Sequence, residues 1–328
     1  MSVPQYLIHH PGVLDLICLV VAPVLLFVIS MIVGWLRHRL RRGLVIGAVI
    51  AIAAAATWLY GREVGFARLE VNHIELAFAD LPPAFDGYRI VQFSDVHAGT
   101  YTDNRRHILQ RVVDSINAQR GDLIVFTGDL QNAYPQEIKQ HADILSQLKA
   151  PDGVISVLGN HDYGDYAIAD EITKSENVGA TISEEQELGW RVLCNGHRRI
   201  RRGSDSIVVA GMENDGEGRF PQKGDIVWTL RGLHRTAFVV MLEHDPTSWR
   251  RKILPHSPSQ LTLSGHTHGG QFSIFGWSPA ALNYREWGGL YRAGNRYLYV
   301  SRGIGGVVPF RLASPAEITV ITLRRQKQ

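Results

Sequence analysis

Cysteine is scarce in this sequence, and neither sign of charge is in strong excess. Only Cys18 and Cys194 occur among 328 residues. Because Cys18 lies within a long apolar run and Cys194 lies far downstream, we expect no disulfide between them. The formal net charge of +3 does not indicate a nucleic-acid-binding surface. The sequence also has no Gly-x-x-x-x-Gly-Lys-Ser/Thr loop, which excludes nucleotide hydrolysis of the P-loop type.

Two long uncharged runs lie near the start of the chain. Leu16 to Leu36 holds about 21 residues without a charge and Gly43 to Tyr60 about 18, and lengths of this order cross a hydrocarbon core. We therefore predict a membrane region over residues 1–61, with transmembrane helices at about 16–36 and 43–60. The rest of the chain, residues 62–328, has the composition of a globular domain.

The charge pattern around these runs predicts their orientation. The connection from Arg37 to Arg42 holds four arginines, and the residues before Leu16 carry no Lys or Arg. Positive loops remain in the cytoplasm, so a multi-pass hairpin in a bacterial cytoplasmic membrane would place everything after Tyr60 on the outer, periplasmic face. Two alternatives stay open: an export signal of the twin-arginine type cleaved near Ala53 to Ala56, and buried helices of a soluble fold.

The globular part alternates between strand and helix patterns, which indicates βαβ units followed by a second, mostly β, sheet. The predicted helices are Arg105 to Gln119, Gln136 to Leu148 and Tyr166 to Ser175. The predicted strands are Leu69 to Phe78, runs beginning at Tyr88, Leu123 and Val154, then Ile207 to Gly211, Ala237 to Leu242, Leu261 to Ser264, Gln271 to Phe275, Tyr297 to Val300 and Ile318 to Leu323. Two such sheets packed face to face with outer helices would make a four-layer αββα sandwich.

Groups of metal-ligand residues follow several predicted strands, at the end where open α/β sheets bind ligands. They are Asp95 and His97, then Asp129, then Asn160-His161-Asp162, and finally His266 and His268. Carboxylates mixed with imidazoles suit Zn, Mn or Fe better than Ca. Asp129 is a natural bridge, because its two oxygens can hold two cations about 3.5 to 4 Å apart.

In this order of motifs, including Gly128-Asp129 and Gly265-His266-Thr267-His268, residues 70 to 325 resemble the calcineurin-like metallophosphoesterases. The Gly-His-Thr-His-Gly-Gly-Gln ending and the run Tyr297 to Arg311 are similar to the membrane-associated bacterial YkuE/YaeI-type branch. The resemblance implies the αββα fold over a catalytic domain at 62–328 and two divalent metal ions. One metal would be held by Asp95, His97, Asp129 and His268, and the other by Asp129, Asn160, His244 and His266.

The same resemblance implies hydrolysis of a phosphoester by a hydroxide that bridges the two metals. His161 would be the general acid that protonates the leaving group. Asp162 either orients His161 or caps the following helix. His244 is a lone histidine, but it follows the apolar run Ala237 to Leu242 and falls between the flanking motifs, as the family pattern requires.

Several features bear on the substrate. The run Phe272 to Asn295 is rich in aromatic residues, Trp277 among them, which either pack the second sheet or form an apolar lip for a lipid chain. Arg302 and Arg311 flank a glycine-rich loop and either bind phosphate or form surface salt bridges. The Asp-Arg-Gly extension of protein Ser/Thr phosphatases is absent after Asp129, so phosphoproteins are not expected. A phosphodiester or pyrophosphate near the bilayer is the leading substrate class, and an envelope scaffold without turnover is the alternative.

Overall fold

Two six-stranded β-sheets form the centre of the fold, and the first is mainly parallel. The structure is a computed structural model that describes residues 10–102 and 104–326. The strands of the first sheet are β1 (Leu69–Phe78), β2 (Arg89–Phe93), β3 (Leu123–Phe126), β4 (Val154–Ser156), β5 (Arg191–Val192) and β12 (Ala316–Arg325). Their order is β1-β12-β2-β3-β4-β5, and β12 runs antiparallel to β2 but parallel to β1. Strands β2 to β5 therefore end at one edge of the sheet.

The second sheet is built from the later part of the chain. Its strands are β6 (Gly196–Arg202), β7 (Asp205–Gly211), β8 (Phe238–Leu242), β9 (Leu261–Ser264), β10 (Gly289–Ala293) and β11 (Arg296–Val300), in the order β10-β11-β9-β8-β7-β6. Strands β7, β8, β9 and β11 are parallel, and an antiparallel hairpin strand lies at each edge. The mostly β second half predicted from the sequence is thus a separate sheet.

Helices cover the outer faces of the two sheets. The α-helical segments of the globular part are Arg106–Ala118, Gln136–Lys139, Ala142–Leu145, Glu171–Glu187, Ile226–Thr229 and Leu254–His256, and Trp249–Ile253 is a π-helix. Short 3₁₀ turns occur at Pro83–Phe85, Ala98–Thr100, Asn160–Tyr163, His268–Gln271 and Pro279–Leu282. Most of these turns begin a few residues after a strand ends, in loops of the kind that commonly carry functional groups.

Three apolar cores separate these layers. Between the sheets, one core contains Ile90, Val125, Val209, Val240 and Leu263. On the outer face of the first sheet, the helix Arg106–Ala118 buries Leu109, Val112, Val113 and Ile116, the three-to-four-residue spacing that places side chains on one helix face. The third core lies on the outer face of the second sheet and includes Trp249 and Ile253. Helix, sheet, sheet and helix confirm the expected four-layer αββα arrangement.

Two long apolar helices precede the sheets. They span Gly12–Leu36 and Leu40–Gly65, each with a π-helical segment, at Ile17–Val21 and Tyr60–Gly65. Both are long and apolar enough to cross a membrane, and little of either is buried within the protein. They form a hairpin in which a Cβ at Gly34 would lie 2.7 Å from Gly43 Cα, so small residues permit the close backbone approach. The first nine residues of the predicted 1–61 region lie outside the described residues.

Some element predictions were wrong. The helix expected over Tyr166 to Ser175 is instead Glu171–Glu187, because the Asp170 side chain caps it by accepting from Thr173 N at 2.8 Å. The helix expected over Gln136 to Leu148 is two short helices. The strand expected at Gln271 to Phe275 is absent from the described residues, since Gly269, Gly270 and Gln271 have positive φ. Strands β5, β6 and β10 were not predicted.

Candidate metal centre

The candidate ligands converge where the two sheets meet at the carboxyl ends of their central strands. Asp95 and His97 follow β2, Asp129 follows β3 and Asn160 follows β4, all from the first sheet. The second sheet supplies His244 after β8, and His266 and His268 after β9. Since β2 to β4 are parallel to one another, as are β8 and β9, residues distant in sequence reach one place.

Asp95, His97, Asp129 and His268 form one cluster, in which the possible ligand atoms all lie within 4.8 Å of one another. His97 Nε2 is 3.2 Å from His268 Nε2 and 3.6 Å from Asp129 Oδ2. His268 Nε2 is 3.5 Å from Asp95 Oδ1. These two imidazoles and two carboxylates are the set that the sequence predicted for the first metal.

Asp129, His244 and His266 form a second cluster that shares Asp129 with the first. His244 Nδ1 donates to the Thr127 carbonyl at 2.6 Å, which leaves Nε2, 3.2 Å from Asp129 Oδ2, for a metal. His266 Nδ1 lies 2.7 Å from Asn160 Oδ1, so the amide predicted as a ligand also reaches this cluster.

The backbone at these ligands is strained. Asp95, His97, Asp129, His266 and His268 all have positive φ, between 50° and 73°. Non-glycine residues rarely adopt this left-handed conformation, which costs on the order of 1–3 kcal/mol at each position. Such strain is commonly concentrated at functional sites, where the surrounding fold holds it in place.

Glycines make this close packing possible. A Cβ on Gly159 would lie 2.2 Å from Asp129 Oδ1, and one on Gly128, whose φ is +94°, would lie 2.7 Å from His244 Nδ1. Side chains at these two positions would therefore displace the groups that define both clusters.

The donor set fits divalent cations. Facing imidazole nitrogens and carboxylate oxygens converge in a buried space, where His244 Nε2 lies 3.2 Å from Asp129 Oδ2. Burial lowers the pKa of His244, but the charge of Asp129 outweighs it and raises this pKa to about 10. Burial also raises the pKa of Asp95 to about 7. The carboxylates thus attract positive charge, and a bound cation would replace the proton on His244.

His161 lies at the edge of the clusters and faces the adjoining cavity. Its backbone N–H donates to Asp129 Oδ1 at 2.8 Å, and its Nδ1 donates to the Asn132 carbonyl at 2.6 Å. The Tyr166 ring stacks on its imidazole with centroids 3.8 Å apart and planes 5° from parallel. Burial lowers the pKa of His161, although the charge of Asp129 acts in the opposite direction. Its Nε2 is therefore the nitrogen free to act on a ligand.

Asp162 has a different environment from either of the predicted ones. Its carboxylate is fully buried and accepts backbone N–H groups from both metal-ligand loops: Asp129 and Gly159 at 2.8 Å, Leu130 at 2.9 Å and Gln131 at 3.3 Å. It neither contacts the His161 ring, whose Nδ1 is bonded to Asn132, nor caps the next helix, which Asp170 does. Asp162 thus ties the loop after β3 to the loop after β4.

A cavity of about 380 Å³ adjoins the clusters. Besides ligands and His161 it is lined by Tyr166, Phe220, Pro279, Asn283 and Tyr284. Tyr284 Oη lies 2.9 Å from His266 Nε2, and Tyr166 Oη accepts from Asn160 Nδ2 at 3.0 Å. Tyr166 and Phe220 were not predicted as site residues, since no local motif marks them, whereas Tyr284 lies within the aromatic run Phe272 to Asn295.

The structure does not bring the three predicted substrate residues to this cavity. Arg311 is fully buried, and its guanidinium donates to the carbonyls of Arg302, Gly303, Gly305 and Ser314. Arg302 pairs with Glu317 and Glu70. Trp277 is half-exposed on a separate turn. The phosphate-binding interpretation of both arginines is therefore replaced by a structural one, because Arg311 bonds backbone carbonyls and Arg302 pairs with two carboxylates.

The sequence from residue 88 to 270 matches the calcineurin-like phosphoesterase family. The chain belongs to this family. It is 34% identical over 300 residues to the uncharacterized metallophosphoesterase YkuE of Bacillus subtilis (strain 168), covering 87% of this chain and 97% of that protein. Identity to a transmembrane protein with metallophosphoesterase domain from Danio rerio is 30% over 292 residues, covering 86% of this chain and 62% of that protein.

A third relative carries a specific activity in its name. The UDP-2,3-diacylglucosamine pyrophosphatase LpxG of Chlamydia muridarum is 25% identical over 333 residues, covering 83% of this chain and 94% of that protein. Together these matches identify this metallophosphoesterase as a phosphoric ester hydrolase. The two apolar helices and the transmembrane relatives indicate membrane association.

Proposed function

We propose that this phosphoesterase uses two divalent cations, Mn, Zn or Fe, to hydrolyse a phosphodiester or pyrophosphate bond. The observation that carries the proposal is the position of Asp129, which belongs to both ligand clusters at once. A carboxylate in that position can bridge two metals at the separation used in phosphoryl-transfer sites. Asp95, His97 and His268 would complete one side, and the remaining predicted ligands, Asn160, His244 and His266, the other.

When bound, the cations supply Lewis acidity, which activates a water molecule and offsets charge on the phosphoryl oxygens. The protein supplies the proton for the leaving group through His161. Since its Nδ1–H is committed to the Asn132 carbonyl, Nε2 carries a proton only in the imidazolium form. Burial opposes that form, and an anionic phosphoester in the adjoining cavity favours it. Tyr166 holds the ring in place by stacking on it.

The acid role of His161 is tested by the variant His161→Ala with two kinds of leaving group. We expect both metals to remain, and the rate to fall about 10² to 10⁴-fold for a substrate with a basic alkoxide leaving group. The loss should be small for bis-p-nitrophenyl phosphate, because p-nitrophenolate departs without a proton. His234→Ala, at an exposed histidine, is the matched control. Equal losses on both substrates, or loss of a metal, would contradict the assignment.

The substrate proposed is lipid-linked and lies at the bilayer. The LpxG relative acts, by its name, on a diacylated nucleotide sugar, and the cavity here presents apolar and aromatic walls at Phe220, Pro279 and Tyr284 beside the metal ligands. Such walls suit a substrate with an apolar portion. The hairpin would anchor the protein, with the catalytic domain on the outer face. Reporters fused within Arg37–Arg42 and after Tyr60 would test this orientation.

A further inference from the structure

A tight turn just before the cavity-lining residue Pro279 exposes an aromatic side chain. Ile274 and Trp277 exchange two backbone hydrogen bonds of 2.9 Å, and the two residues between them, Phe275 and Gly276, have φ of 50° and 79°. Positive φ at both central positions is the geometry of a type I′ turn. Phe275, at the tip, is completely exposed, at 106% of its reference area.

Phenylalanine is unfavourable at this position for two separate reasons. Type I′ turns strongly prefer Asn or Gly at the first central position, and a bulky residue with positive φ is strained. A fully exposed ring also gains nothing from burial in the fold. The substitution Phe275→Asn would therefore let the turn form more readily, so the folded domain alone does not account for the ring.

The turn belongs to a larger exposed apolar surface, which we call the 274–282 surface. Besides Phe275 it contains Ile274, Trp277 and Leu282, which are 49%, 48% and 72% exposed. The whole stretch from residue 272 to 284 contains no charged residue. Large apolar side chains exposed together in one uncharged segment are typical of a site of interaction with a protein or a membrane.

Backbone contacts place this surface next to the end of the second apolar helix. Ser273 N donates to Leu312 O at 2.9 Å, and the adjacent Arg311 N donates to Gly61 O at 3.0 Å, within the last turns of that helix. Phe310 stacks on Trp58 of the same helix, with ring centroids 4.7 Å apart. The segment from Phe310 to Leu312 thus contacts both the end of the second apolar helix and Ser273, the residue before the turn.

We propose that the 274–282 surface inserts into the lipid interface beside the second helix, so that the bilayer is its partner. Aromatic residues are favoured at that depth, where Trp58 and Tyr60 also lie if the helix spans the membrane. The segment continues directly into Pro279, Asn283 and Tyr284, which line the cavity at the metal centre. The inference rests on the proposed membrane anchoring. Insertion of the 274–282 surface would open the cavity toward substrates held in the bilayer.

The test measures lipid contact at position 275 in the full-length protein. Phe275→Cys, in a background with Cys18→Ala and Cys194→Ser, is labelled with the fluorophore NBD and reconstituted in nanodiscs that contain spin-labelled phosphatidylcholine. We expect the emission to lose most of its intensity to nitroxides near the headgroup. Trp228→Cys is the matched control, an exposed aromatic position on the helix Ile226–Thr229 of the second sheet's outer face, and should remain unquenched.

Each outcome of this experiment decides the proposal. Absence of quenching at position 275 overturns the proposal. A blue shift without quenching also overturns it, because it would mean that protein rather than lipid covers the turn. Hydrolysis of bis-p-nitrophenyl phosphate by the unlabelled wild-type protein separates this inference from the proposed activity, because quenching does not depend on turnover. Phe275→Asn should unfold in detergent at a temperature no lower than the wild type. A clear decrease would show that the ring supports the fold and would overturn the argument.

Discussion

Asp162→Asn is predicted to destabilise the protein and release metal, rather than to disable proton transfer. In the structure each carboxylate oxygen accepts two backbone N–H groups: Oδ2 from Asp129 and Gly159, and Oδ1 from Leu130 and Gln131. An Asn side chain replaces one acceptor with an NH₂ group, which leaves two buried N–H donors without an acceptor. Each such loss costs about 1–3 kcal/mol, so the change should cost about 2–6 kcal/mol.

The assay is thermal unfolding of the purified full-length protein, together with metal analysis of the same samples. At the lower limit of about 2 kcal/mol, Tm should fall by about 4–8 °C for a domain of this size. The metal content should also fall, because Asp129 and Asn160 are carried by the loops that Asp162 joins. Asp170→Asn is the matched control: this exposed helix cap accepts one N–H, from Thr173, and Asn caps helices equally well.

A different result would refute this interpretation. If Asp162 served mainly to hold charge on His161, the Asn variant would keep its Tm and both metals while losing activity on substrates with basic leaving groups. If Asp162→Asn unfolds at the same temperature as Asp170→Asn, the four hydrogen bonds contribute little to stability. That result would restore the catalytic assignment of Asp162.

Asp129→Asn should lose more metal and more activity than Asp95→Asn, because Asp129 belongs to both clusters and Asp95 to one; equal losses measured by metal analysis would contradict the bridging role. Arg311→Ala should lower Tm by an amount equivalent to at least about 1–3 kcal/mol, because the buried carbonyls that its guanidinium satisfies would lose their donor, and a raised KM at unchanged Tm would return it to substrate binding. Glu185→Gln should raise Tm increasingly from pH 5 to pH 8. Burial and the charge of Asp162 raise the pKa of Glu185 in the folded protein, so the wild type loses stability as pH rises above the unfolded pKa. A pH-independent difference would contradict this.

The candidate ligands could be identified from the sequence because each lies within a few residues of the end of an apolar run. Asp129 follows β3 and His266 follows β9, and a run of buried residues fixes where a strand ends, so the position of the next few residues follows. The resemblance then assigned ligands to two metals, and the structure groups them into two clusters that share Asp129. Local patterns thus identified residues that the structure brings together into two clusters.

The errors arise where the path of a loop in three dimensions, which no sequence periodicity records, decides the role of a residue. No sequence pattern around Arg311 reveals that carbonyls of the loop after β11 enclose its guanidinium. From sequence alone, a buried arginine cannot be distinguished from one on the surface. The helix predicted from Tyr166 begins only at Glu171, because Asp170 provides the stronger cap. That shift leaves Tyr166 in a loop, from which its ring can stack on His161. The contact could not be predicted from helical periodicity.

The surrounding fold explains how the strained backbone at the candidate ligands persists. Asp95, His97 and Asp129 come from the first sheet, while His266 and His268 come from the second, and all five have left-handed backbone. Strain of this size persists only when the surrounding structure over-determines it. Here the buried cores fix the strand ends from both sides, and Asp162 fixes the loops between them. Under the proposed function, cations bound by residues of both sheets would join the two halves of the fold, and catalysis and the packing of the sheets would depend on the same few side chains.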